Sequence, residues 1–222
     1  GQKIAVIGST GSGKSTLVKL MNRFYDVSRG SIEINGVDIR KYDLESLRAQ
    51  IGYVAQKAHM FKGSIQSNIC FGKPEASVEE MVHAATVAQA SDFISTREHG
   101  YKDEIAEDGT NISGGQKQRL SIARVILKKP SLYIYDDSFS ALDFKTDATL
   151  RKALKPEVKN AIFFVVAQRI STIMDSDMII VLDEGQIIGM GTHAQLLKDC
   201  SVYQEIAHSQ LTQKELDDYE RN

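Results

Sequence analysis

The sequence predicts an α/β fold: a mainly parallel sheet covered by helices on both faces, with a small antiparallel β annex and an inserted helical lobe. Three observations predict it. Unbroken apolar runs at 132–135, 161–167 and 178–182 are separated by helical stretches, the pattern of parallel strands buried on both faces. A short apolar run at 3–8 enters a glycine-rich turn and gives way to helical spacing of Leu17, Val18, Leu20 and Met21. Between 57 and 128 the spacing is mostly helical.

Taken in order, residues 3–8 form the first strand and 14–21 the first helix. Residues 31–34 alternate, Asn35-Gly36 is a hairpin signal, and 37–39 return, which makes the annex. Residues 51–54 are a further strand. In the lobe, 78–89 is rich in alanine, and 115–127 sets Leu120, Ala123, Ile126 and Leu127 on one face. After the strand 178–182, Glu184-Gly185 turns the chain into 186–189, and Thr192 caps a helix. A charged amphipathic tail runs from Ser201. We expect one domain over 1–222, with 1–56 and 129–200 as the α/β core, 57–128 as the lobe and 201–222 as the tail.

A chain of 222 residues with 42% apolar and 25% charged residues can bury a real core. Its 27 basic and 29 acidic residues leave a net charge of -2, so no global positive field would hold nucleic acid or an anionic membrane. The longest unbroken apolar run, 161–167, falls well short of the roughly 18 residues of a membrane helix. Cys70 and Cys200 lie far apart without metal spacing and read as buried thiols. His59, His83, His99, His193 and His208 form no metal spacing either and read as structural.

The stretch Gly8-Ser9-Thr10-Gly11-Ser12-Gly13-Lys14-Ser15-Thr16 has the phosphate-loop spacing of P-loop NTPases and sits between a strand and a helix. Its glycines let backbone N–H groups turn inward around a phosphate, and the helix N-terminus adds a favourable partial charge. Candidate nucleotide contacts are therefore Thr10, Gly11, Ser12, Gly13, Lys14, Ser15 and Thr16. Lys14 would reach the β and γ phosphates of ATP, and Ser15 would supply a magnesium (Mg2+) ligand. Asp136 follows the strand 132–135, where a carboxylate holds magnesium directly or through water, and Asp137 beside it can position an attacking water. By themselves two aspartates after a strand also fit a turn.

Further along, Ile112-Ser113-Gly114-Gly115-Gln116-Lys117-Gln118-Arg119 resembles the signature segment of ATP-binding cassette (ABC) ATPases. It stands, as it does there, between the phosphate loop and the second carboxylate motif. Tyr53-Val54-Ala55-Gln56 is similar to the Q-loop, Ser140-Ala141-Leu142-Asp143 to the D-loop, and Ala167-Gln168-Arg169-Ile170-Ser171-Thr172 to the switch segment. The resemblance extends from Gly1 to about His208.

The resemblance implies a domain that binds Mg-ATP and pairs head to tail with a second such domain. Each ATP is then clamped between one phosphate loop and the other signature. On that basis Ser113, Gly114, Gly115 and Gln116 meet the partner's nucleotide, Asp143 serves the same site, and Gln56 joins Ser15 and Asp136 around magnesium. Read alone, Ser-Gly-Gly at a helix start is most simply a cap.

Phe61-Lys62-Gly63-Ser64-Ile65-Gln66-Ser67-Asn68-Ile69 and Glu107-Asp108-Gly109 are similar to exporter domains, although Asp108 stands where an arginine is usual. This implies contact with membrane-domain coupling helices, a place at the cytoplasmic face of a membrane, and no nucleic-acid partner. Gly1 lies two residues before a core strand, so a membrane domain and an adenine-stacking aromatic are expected upstream. The cargo lies outside this sequence.

Two catalytic positions depart from the family pattern. Asp137 stands where a glutamate usually acts on water, and Gln168 where a histidine usually meets the γ-phosphate. These are the candidate catalytic residues. Aspartate is shorter, and glutamine hydrogen-bonds but cannot become a cation. The signature is nearly complete, with Ile112 for leucine its only early change. The pattern resembles a heterodimeric exporter subunit whose own site binds ATP but hydrolyses it poorly, while its signature completes the partner's site. A fully active homodimeric exporter ATPase is the alternative.

Overall fold

The computed structural model describes residues 1–212. The chain divides into two compact units, one built from Gly1–Arg48, Ile134–Asp137 and the chain from Ile162 onward, the other from Ala49–Tyr133 and Ser138–Ala161. The first unit opens with β1 (Lys3–Gly8), α1 (Lys14–Met21), the hairpin strands β2 (Glu33–Ile34) and β3 (Val37–Asp38), and α2 (Leu44–Ala49), whose last residue begins the second unit. The second unit continues with β4 (Ile51–Val54), β5 (Gly63–Ser64), α3 (Ile65–Ile69), α4 (Val78–Val87), α5 (Ser91–Ser95), β6 (Glu104–Ile105) and α6 (Gly114–Lys128). Strand β7 (Leu132–Asp136) starts in the second unit and ends in the first, and α7 (Phe144–Glu157) belongs to the second. The first unit is completed by β8 (Ile162–Val166), α8 (Ile170–Ile173), β9 (Met178–Asp183), β10 (Gln186–Gly191), α9 (His193–Asp199) and α10 (Ser201–Gln210).

The main sheet runs in the order β10-β9-β1-β8-β7-β4. Strand β1 is parallel to both β8 and β9, while β10 returns antiparallel along β9. Ala5 sits opposite Val165 and Ile179, and all three are fully buried. Because successive strand residues point to opposite faces, burial of Ala5, Val6 and Ile7 in a row means that both faces of β1 are covered. The fold class read from the apolar runs is the one observed.

The annex is shorter than its alternating sequence suggests. Asn35 (φ 52°) and Gly36 (φ 74°) make the left-handed two-residue turn, but Ile39 leaves the ladder for a 3-10 turn. The reason is local: the Asp38 carboxylate accepts from the Arg40 N–H and caps that turn.

In the second unit α6 is the central element, with Leu120, Ile122, Ala123, Ile126 and Leu127 buried against α4, α3 and β4. Fully packed Ala84 and Ala85 allow α4 to approach closely. Gly52 is required in β4 by proximity, since a Cβ there would lie 2.5 Å from Val125 and 2.6 Å from Pro130.

The sequence's amphipathic tail begins as α10, which packs on its own unit: Tyr203 and Ala207 are fully buried, and α10 lies against α9 and α8. Residues 213–222 of that tail lie outside the described residues. Among the described residues no helix is long and apolar enough to cross a membrane.

Candidate nucleotide site

In the first unit β1 delivers the chain to α1 through a loop that close packing and backbone sterics both constrain. A Cβ on Gly8 would lie 2.0 Å from the Leu182 carbonyl oxygen on β9. Gly13 (φ 101°) is the N-cap of α1 and brings no side chain, so no capping oxygen competes for the first helical N–H groups. The loop closes by Ser12 N–H to Ser9 carbonyl (3.2 Å) and is tied to the β9–β10 turn by Gly185 N–H to Ser12 carbonyl (3.0 Å).

Lys14 arches over this loop. Its ammonium donates to the Gly8 carbonyl (2.9 Å), the Ser9 carbonyl (2.6 Å) and Ser12 Oγ (3.2 Å). Burial lowers its pKa from the ordinary lysine value, and the carboxylates of Asp137 and Asp136 oppose that shift.

Both aspartates are buried at the end of β7. Asp136 Oδ1 lies 3.4 Å from Ser15 Oγ, longer than an ordinary hydroxyl hydrogen bond. Neighbouring oxygens around one magnesium ion, each about 2.1 Å from it, stand about 3 Å apart, so this donor pair suits a shared cation. Among the described residues no three His, Cys, Asp or Glu side chains cluster as a metal cage. A hard ion here would therefore complete its shell from water, phosphate and neutral side-chain oxygens, which is magnesium's habit.

Asp137 leaves the strand at φ 48°, a left-handed conformation that aspartate tolerates better than most residues, and its N–H donates to the Val166 carbonyl at 2.8 Å. Gln168, just after β8, donates from Nε2 to Asp137 Oδ2 at 2.8 Å. The first unit thus gathers the residues from Thr10 to Thr16 with Asp136, Asp137 and Gln168.

The second unit carries the other candidates. Ser113 caps α6: its Oγ accepts from the Gln116 N–H (3.2 Å), and Gln116 Oε1 accepts from the Ser113 N–H (2.9 Å). The cap reading of this segment is therefore realised, with Ser113 and Gly114 exposed at the helix start. A Cβ at Gly115 would come within 3.3 Å of the Ala141 carbonyl. Asp143 caps α7 by accepting from the Thr146 N–H (2.9 Å) and hydroxyl (2.7 Å), donors that hold its carboxyl below its ordinary pKa. Gln56 follows β4 and is exposed.

Two glutamines escaped the sequence reading. Gln118, almost fully buried on α6, donates to the Ala55 carbonyl at 3.1 Å and anchors the chain before Gln56. It gave little sequence signal, because it lies on the side of α6 opposite Leu120, Ala123 and Leu127, beside Ile122 and Val125, which are buried as well. Gln210, which grips the switch segment, gave none.

These features define a nucleotide-binding domain of the P-loop class, and comparison with known proteins narrows it. The ABC transporter family model matches residues 1–140, and the chain belongs to that family. Over 213 residues it is 45% identical to an uncharacterised ABC transporter ATP-binding protein of Mycobacterium tuberculosis, covering 95% of this chain and 36% of that protein. It is 42% identical over 214 residues to heavy metal tolerance factor 1 of Caenorhabditis elegans, covering 96% of this chain and 27% of that protein. A bacterial Atm1-family ABC exporter solved with ATP bound is similar at a TM-score of 0.91 and 38% identity, over 94% of this chain and 37% of that one. The chain is an ABC ATP-binding domain of exporter type, and it spans between 27% and 37% of the length of these proteins.

Proposed function

We propose that this chain binds Mg-ATP at its phosphate loop, pairs head to tail with a second, non-identical domain of the same family, and drives export through membrane-domain coupling helices at the cytoplasmic face of a membrane. Ser15 and Asp136 would hold the magnesium ion, with Gln56 as a further ligand. Bound there, magnesium neutralises charge on the β and γ phosphates. Lys14 orients the same phosphates, and the N–H groups at Gly11 to Thr16 receive their oxygens. Ser113 to Gln116, with Asp143, would complete the partner's site.

We further propose that this chain's own site hydrolyses ATP slowly. The observation that carries this reading is the 2.8 Å bond from Gln168 to Asp137. One oxygen of the short carboxylate is occupied by a side chain that cannot become a cation. Phosphoryl transfer needs a group that places the attacking water, and an error of about 1 Å costs on the order of a hundredfold in rate. ATP held but not cleaved acts as a long-lived clamp, stabilising the closed pair by mass action.

Contact with coupling helices is supported by the exporter-like segment 61–69. Phe61 and Phe71, both largely exposed, stack 4.3 Å apart over the Arg124 guanidinium, which in turn donates to the Asn68 carbonyl at 2.8 Å. An exposed aromatic pair on a fixed cation is a surface suited to an apolar helix.

The test compares Mg-ATP binding and single-turnover hydrolysis in the parent and in the Asp137→Glu, Gln168→His double variant at equal, high protein concentration. Both should bind ATP, and only the variant should turn over readily. A parent as fast as the variant would replace this reading by a fully active homodimeric ATPase.

A further inference from the structure

The switch segment is gripped from the far end of the chain. Gln210, in the last turn of α10, uses both ends of its carboxamide. Oε1 accepts from the Ile170 N–H at 2.8 Å, and Nε2 donates to the Gln168 carbonyl at 2.7 Å. Because the amide is planar, its two bonds fix both the distance and the orientation of the backbone from Gln168 to Ile170. Arg169 gives α8 no side-chain cap, so Gln210 supplies one from 40 residues away.

Helix α10 is itself held firmly. Tyr203 and Ala207 are fully buried, the Tyr203 hydroxyl meets His193 Nδ1 at 2.7 Å, and Gln204 Nε2 donates to the Leu197 carbonyl at 2.7 Å. The residue whose carbonyl Gln210 holds is the one whose side chain bonds Asp137. A cap for α8 would need only an acceptor. The second bond is directed at the residue that touches the buried carboxylate.

We propose that Gln210 is a positioning residue for the Asp137–Gln168 pair, which makes the C-terminal helix part of the nucleotide-responsive switch. This rests on the nucleotide-site reading above. Nothing in the motifs assigns the helix such a role. A shift of its last turn would move Gln168 against Asp137 without touching the phosphate loop.

The test uses this chain with Gln210→Ala and Gln210→Glu. The readouts are the NMR shift of the Gln168 side-chain amide, Mg-ATP affinity, single-turnover rate and amide exchange in α9 and α10. In Gln210→Ala the Gln168 amide signal should move toward that of free glutamine, in the same direction as in an Asp137→Ala control. The single-turnover rate should rise severalfold while affinity stays within about twofold, since a loosened Gln168 releases the Asp137 oxygen that it occupies in the parent and leaves the phosphate loop untouched. Gln210→Glu keeps the acceptor for Ile170 but not the donor for Gln168, so its signal should lie between the two. An unmoved Gln168 signal in Gln210→Ala overturns the proposal. So does a moved signal accompanied by loss of exchange protection throughout α9 and α10, which would mark simple detachment of the helix. Absence of Mg-ATP binding by the parent would overturn the nucleotide reading instead, and would leave the NMR comparison of Gln168 intact.

Discussion

Gln168 Nε2 donates to Asp137 Oδ2 at 2.8 Å, so the second residue after β8 holds the carboxylate that follows β7. The bond joins the two candidate catalytic residues read from the sequence. Asp137→Glu alone should raise the single-turnover rate by about tenfold, by restoring reach toward a bound phosphate. Because Asp137 sits at φ 48°, the longer side chain should also cost about 1 kcal/mol in urea unfolding. A variant that gains no rate despite normal ATP binding would place the defect elsewhere.

Lys14 is the only cation bonded to the phosphate loop among the described residues, through three oxygens of Gly8, Ser9 and Ser12. Lys14→Ala should weaken Mg-ATP binding about 10- to 100-fold, the worth of one charge-assisted hydrogen-bond set. Calorimetric titration measures it. The thermal midpoint should stay within about 2 °C, since the loop keeps its backbone bonds.

Ser113 separates capping from nucleotide contact. Ser113→Ala removes the N-cap of α6 and should cost about 1 kcal/mol in urea unfolding, with this chain's own ATP affinity unchanged. Ser113→Asp keeps a good cap but sets a negative charge where a partner's γ-phosphate is proposed to lie. It should unfold like the parent and lose ATP-dependent pairing in sedimentation. Normal pairing by Ser113→Asp would remove the signature from the proposed interface.

His193, buried against Tyr203, has its pKa lowered below the ordinary 6.5 by burial. The unfolded chain therefore binds a proton there at a higher pH than the folded chain does. Its contribution to stability is complete above about pH 6.5 and is lost as pH falls from there toward the folded value. The melting temperature of the parent should drop more between about pH 7.5 and 5.5 than that of His193→Gln. Equal slopes would show that other groups govern acid stability.

Local reading sufficed for a helix cap, a hairpin turn and the phosphate loop. Thr192 and Gln195 form the capping box at the start of α9, Asn35-Gly36 turns with both φ values positive, and the phosphate loop lies between β1 and α1. Each of these depends on residues within a few positions of one another. The annex strands were overread because Asp38 finds a nearer partner in Arg40 than the ladder offers, a competition that alternation does not reveal.

By itself the sequence determined the parallel α/β architecture, the phosphate loop and membership of an ATP-binding family, because apolar periodicity and contiguous motifs are local properties. Only the tertiary structure decided that Ser15 faces Asp136 across 121 positions, that Gln168 bonds Asp137 across 31, and that Gln210 grips Ile170 across 40. Those meetings follow from the order in which strands β1, β7 and β8 lie in the sheet and from where α10 packs. Burial of whole apolar faces fixes both, and no short stretch of the chain encodes them.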